Sequence, residues 1–124
     1  MANIYHFHVN LFAHPRTAGF AVTWEDAAKL LEPMPRMIFE LDGSFVLSGN
    51  DEHGNRWQVD GHLFDFAGRL FRLELHGRCP PAVFDQLLRS VGWPTQAVEF
   101  EMVREGVTLD ETEFRQLAGA APAS

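Results

Sequence analysis

A chain of 124 residues that is 46% apolar, with eleven Phe and three Trp, has the bulk for one hydrophobic core but not for two, and this composition excludes disorder. Seventeen acidic against ten basic residues give a formal charge of −7, with the basic residues scattered singly, which argues against a nucleic-acid backbone or an anionic membrane and leaves a basic protein partner or a cation open. The single cysteine, Cys79, excludes an internal disulfide; Met1 to His8 lacks the basic and apolar regions of a secretion signal, and no apolar run is long enough to span a bilayer. The expectation is one soluble cytoplasmic domain over residues 1–118 with a flexible tail over 119–124. Nine arginines against one lysine, with abundant Ala and Gly, matches the coding bias of a GC-rich bacterial genome.

Residues 4–12 alternate: Tyr5, Phe7, Val9 and Leu11 share one side and His6, His8 and Asn10 the other, as in a half-buried strand. Thr23 then precedes Trp24, Ala27, Ala28 and Leu31 at helical spacing, with Asp26 placed to complete a capping box, and Pro33 and Pro35 stop the helix. Between residues 36 and 77, Leu41-Asp42-Gly43 and Phe66-Ala67-Gly68 each offer a glycine for the left-handed position of a three-residue hairpin loop, and Asn50 to Asn55 is a polar turn between them. A four-stranded antiparallel meander follows. Within it, Asp60-Gly61 interrupts a strand pattern and reads as a bulge.

Pro80 and Pro81 open a second helix with the apolar stripe Phe84, Leu87, Leu88 and Val91, closed by Gly92 and Pro94. Val98, Phe100 and Met102 alternate with Glu99 and Glu101 in a last strand, after which Asp110 and Glu113 cap a short helix carrying Phe114 and Leu117. The alternation is too regular for a sheet buried on both sides. The predicted fold is therefore α+β, an antiparallel sheet of about six strands with two to three helices on one face and a polar opposite face. Phe39, Phe45, Leu63, Phe71, Leu73, Phe84, Leu87 and Phe100 are the expected core, and Trp24, Trp57 and Trp93, each at an element end, read as structural plugs.

If Gly68 closes its loop, Leu63 faces Phe71, His62 faces Arg72 and Asp60 faces Glu74. A wider register instead pairs His62 with Glu74 and Asp60 with His76, which suits the charges but places the glycine less naturally. Both registers gather Asp60, His62, Arg72, Glu74 and His76 in one outward patch. Two imidazoles and two carboxylates are the donor types of a zinc or other divalent-cation site, and His6 and His8 extend the set if the first strand is a neighbour; Arg72 in the same patch opposes a cation. Cys79 falls beside the start of the second helix and next to Arg78, where the helix dipole and a cation would favour a thiolate, making it the candidate nucleophile.

No phosphate loop, dinucleotide fingerprint, nucleophile elbow or Cys-x-x-Cys pair is present. A robust core without an assembled catalytic constellation points to a non-catalytic binding or protein-interaction module, a homodimer using the polar sheet face or a sheet edge. The alternative is a divalent-metal protein or small enzyme built on His62, Glu74, His76 and Asp60, with Cys79 as a reactive thiol.

Overall fold

A computed structural model describes residues 4–120. Seven strands, β1 (Tyr5–Ala13), β2 (Met37–Phe39), β3 (Ser44–Asn50), β4 (Arg56–Phe66), β5 (Arg69–Cys79), β6 (Val98–Met102) and β7 (Val107–Leu109), form one antiparallel sheet in the order β2-β3-β4-β5-β1-β6-β7. The class is α+β, and the expected meander is β2 to β5. One strand more than the six expected is present: β7 is three residues long with Val107 and Thr108 exposed, too short and too solvated to leave an alternating signal.

Helices α1 (Trp24–Leu31), α2 (Pro81–Arg89) and α3 (Glu111–Ala118) pack on the side of the sheet that carries Phe7 and Phe100. Their ends follow the chemistry of the chain. Thr23 and Asp26 close a reciprocal capping box on α1, Asp110 and Glu113 do the same on α3, and Pro81 occupies the first position of α2, where a missing N–H costs nothing. The rings of Phe84, Phe114 and Phe100 stack at 4.9 and 4.6 Å, and Tyr5 and Phe7 meet Phe84 edge-on, so that both C-terminal helices are held to β1 and β6 by aromatic contacts. Arg115 ties α3 to α2 through Asp85 and to β1 through the Tyr5 hydroxyl, and bonds Glu111 within its own helix. Burial disfavours its charge, but these hydrogen bonds outweigh that and hold its pKa above the ordinary value.

Phe45, Leu63, Leu73, Phe84, Leu87 and Phe100 are buried as expected, and Phe39 is half-buried against them. The three tryptophans sit at core edges: Trp57 is buried, Trp24 Nε1–H donates to the Leu63 carbonyl and Trp93 Nε1–H to Glu111. Gly61 is not a bulge. It pairs in register with Phe45, whose ring occupies the space a Cβ would need, and across the same two strands Gly49 lies under Trp57 in the same way. The glycines are recesses for cross-strand aromatic rings.

The β4–β5 hairpin takes the wider of the two registers that the sequence leaves open, and the narrower one is not formed. Along most of its length His62 faces Glu74 and Asp60 faces His76, the electrostatically better pairing. Between Phe64 and Asp65 the register shifts, with Phe64 opposite Arg72 and Asp65 opposite Leu70, so Phe71 is an extra residue on β5. The bulge lets the turn close on Ala67 and Gly68 alone, at φ 52° and 79°, a two-residue connection instead of the expected three-residue loop. It also overturns the assignment of Phe71 to the core: Leu70 and Leu73 are buried, while Phe71 turns to the other face and is 49% exposed.

Arg36 holds a positive φ of 62° after Pro35, in a turn closed by Met37 N–H on the Met34 carbonyl. A left-handed residue with a side chain costs ~1–2 kcal/mol relative to glycine there. Of the expected tail, Gly119 and Ala120 finish α3, Ala120 N–H reaching the Leu117 carbonyl, and residues 121–124 lie outside the described residues.

Candidate functional site

With the helices on one side, strand alternation sends His6, His8, Asn10 and Phe12 of β1, Gln58 to Phe64 at alternate positions of β4, and Arg72, Glu74, His76 and Arg78 of β5 to the open face. Strand β6 adds Glu99 and Glu101 and β7 adds Thr108. A single 3-10 turn, Arg16–Ala18, folds back so that Arg16 reaches the same face.

These side chains form a chain of bonds running across the strands. Arg16 donates to Glu99 at 2.8 Å, to Glu101 at 3.3 Å and to Thr108 at 3.1 Å. Asn10 donates to Glu101 and accepts from Arg72, while Glu74 is shared between His8 at 3.0 Å and Arg72 at 3.8 Å. Basic side chains (Arg16, Arg56, Arg72, Arg78) are interspersed on this face with carboxylates (Asp60, Glu74, Glu99, Glu101). The open face is close to neutral, and the acidity of the chain lies on the helical side and the loops.

The candidate metal ligands share the face without converging. His8 and His76 stack at 4.2 Å, and His8 also contacts Glu74. His62, however, lies against the Phe64 ring with Nε2 at 3.2 Å from the Asp42 carbonyl; Asp60 accepts from Gln58, and His6 stands opposite Arg78. Among the described residues no three His, Cys, Asp or Glu side chains form a group able to hold a metal ion. Glu74 is taken up by His8 and Arg72, Asp60 by Gln58 of its own strand, and His62 by the Asp42 carbonyl.

Toward the β4–β5 turn the face changes character. Arg72 stacks over Phe64 at 3.8 Å and Arg16 over Phe12 at 3.9 Å, while Phe71 meets Phe12 edge-on at 5.5 Å and Phe66 at 6.1 Å. Phe12 is buried by these neighbours, whereas Phe66 is 72% exposed. Four phenylalanines and two arginines thus make an aromatic corner on an otherwise polar sheet. Reading Phe71 as core hid this cluster from the sequence, and the Phe12 position, in step with His8 and Asn10, was its available signal.

Cys79 is the last residue of β5 and has no exposed surface. Burial, with a smaller contribution from the Asp85 charge, pushes its thiol up to about 12, so the neutral form holds at physiological pH despite the adjacent Arg78. We expect no alkylation of the folded chain by iodoacetamide at pH 8 and full alkylation in denaturant; labelling in the folded state at the rate of the unfolded one would overturn this placement.

A second acid–base pair has no local sequence signal, because its members are 85 residues apart: His14 Nδ1 lies 2.7 Å from Glu99. It borders a cleft of about 750 Å³ that also meets Trp93, Asp110 and Glu111. The hydrogen bond from Arg16, and then that from His14, hold the Glu99 carboxyl below the ordinary range. These bonds therefore stabilise the folded chain above the usual carboxylate range, and that stabilisation is lost as pH falls through the lowered value. The hydroxyl in this network, Thr108 Oγ1, accepts from Arg16.

No protein-family model, curated protein or solved structure matches this chain. None of the helices is long and apolar enough to cross a membrane among the described residues.

Proposed function

We propose that this chain is a non-catalytic interaction module whose partner is a second copy of itself, met through the aromatic corner of the open sheet face. The observation that carries the reading is the pair Phe66 and Phe71, 72% and 49% exposed, set beside arginine-capped Phe64 and Phe12. Aromatic side chains and arginine are the residue types that anchor protein interfaces, and a cluster of them on one face is costly to leave in water. Charge selects the partner and its orientation. Two chains of charge −7 repel least when their near-neutral faces meet and their acidic helical sides point apart, the geometry of a two-fold contact.

Sedimentation velocity across the micromolar range should show a monomer–dimer equilibrium that persists at high salt, since the contact is mainly apolar. Phe66→Ser with Phe71→Ser should return the chain to a folded monomer whose thermal midpoint is lowered by no more than about 5 °C. Leu41→Ser, at the most exposed apolar side chain but on the β2–β3 turn, should leave the equilibrium unchanged. A wild-type chain that stays monomeric at several hundred micromolar, or a double variant that still dimerises, would overturn the reading.

A further inference from the structure

At the end of the open face away from the β4–β5 turn, the arginines are held differently. Arg16 pairs with Glu99 and Glu101, and Arg72 with Glu74, whereas neither Arg56 nor Arg78 forms an ion pair among the described residues. Both are oriented by neutral acceptors instead. Arg78 stands between Gln58 of β4 and His6 of β1, and its guanidinium donates to the Arg56 carbonyl at 2.8 Å, while Arg56 turns back to donate to Gln58 Oε1 at 3.2 Å. The two guanidiniums are thereby gathered around Gln58, along a cleft of about 460 Å³ that His6 also borders and that no carboxylate lines. Asp60, the next acid along β4, is taken up by Gln58 Nε2 at 3.0 Å.

We infer that this cleft binds the phosphate group of a small phosphorylated molecule, with Arg56 and Arg78 as its two charged clamps and His6 as a third donor. A guanidinium carries five N–H donors in a planar fork, so spending one on a neutral acceptor fixes its direction and leaves the others, with the whole charge, for a ligand. Two such cations brought together without an anion repel, and a dianion bound by both removes that cost. A phosphate monoester has three terminal oxygens, enough to accept from both forks at once, where a single carboxylate satisfies one. Size and net charge favour a small ligand over a polymer. The cleft lies within the range of small-molecule sites, and the charge of −7 on the chain repels a nucleic acid or an anionic membrane over a wide front, whereas a small dianion meets mainly the two guanidiniums. The site is at the opposite end of β4 and β5 from Phe66 and Phe71, so it stands or falls independently of self-association.

The test is a heteronuclear NMR titration of the full chain with inorganic phosphate and with glycerol phosphate at pH 7.5, holding ionic strength constant with chloride. Saturable shifts should centre on Arg56, Gln58 and Arg78, with a dissociation constant of about 1 mM or tighter. Arg56→Gln and Arg78→Gln should each weaken binding by about tenfold or more while keeping the thermal midpoint and the dimer equilibrium. Arg36→Gln removes the same charge from another arginine that makes no ion pair and should leave binding unchanged. Vesicles of phosphatidylcholine and phosphatidic acid in equal parts should not sediment the chain. Shifts that stay linear up to about 20 mM phosphate, saturation that survives both substitutions, an equal loss in Arg36→Gln, or binding to the vesicles without binding to either soluble phosphate would overturn the site.

Discussion

Phe84→Ala is expected to lower the unfolding free energy by ~3–5 kcal/mol, while Phe71→Ala, the same deletion on the opposite face, should cost about 1 kcal/mol or less. Phe84 has no exposed surface; it stacks on Phe114 at 4.9 Å and receives the edges of Phe7 and Tyr5 at 5.0 and 5.8 Å. Removing its ring leaves a void walled by three other rings that cannot collapse without giving up their mutual contacts. Phe71 is half in solvent and touches Phe12 and Phe66, so its loss opens no cavity. Urea denaturation followed by circular dichroism distinguishes them. For a domain whose whole stability is ~5–15 kcal/mol, the Phe84 variant should have a midpoint far below wild type. Equal costs at the two sites would contradict the bulge that places Phe71 outside.

Gly77→Ala should be nearly as damaging, at ~3 kcal/mol or more, from two additive causes. Its φ of 140° is a backbone state that residues with a Cβ rarely adopt, and an added Cβ would stand 2.2 Å from the Gln58 carbonyl oxygen and 3.1 Å from the Val59 Cα. Overpacking ordinarily costs ~1–3 kcal/mol, with strain at positive φ adding ~1–2 kcal/mol. Backbone cannot rotate aside as a side chain can, so relief requires β4 and β5 to separate. Gly68→Ala is the control. It has a positive φ but open space around it, and should cost only the ~1–2 kcal/mol of strain. A thermal melt of Gly77→Ala no worse than that of Gly68→Ala would show that the strands accommodate the methyl group.

Elements whose signals are local were legible from the residues alone. The capping pairs Thr23 with Asp26 and Asp110 with Glu113, the prolines before α2, and the alternation of β1 and β6 depend on neighbours a few positions apart. What escaped depends on pairing. Gly61 looks like a bulge until Phe45 is known to lie over it, and Phe71 looks like core until one inserted position flips it outward. The outward patch of His62, Glu74, His76 and Asp60 is legible as a set, but its side chains bond in other directions, toward His8 of β1, Gln58 of β4 and the Asp42 carbonyl in the β2–β3 turn. Likewise, nothing in the sequence around His14 announces Glu99.

The position of β1 also bears on how the chain assembles. Strands β2 to β5 are contiguous and joined by short turns, so that half of the sheet can form as soon as its residues are available. Strand β1, which comes before all of them, has no neighbour until β5 is complete, and its other edge stays open until β6 follows α2. The bonds that hold it, such as Asn10 to Glu101 across 91 residues and Arg115 to Tyr5 across 110, close long loops. A strand whose one face carries Tyr5, Phe7, Val9 and Leu11 thus stays unpaired until β5 has formed, and over that interval its apolar face and both its edges are open to another chain.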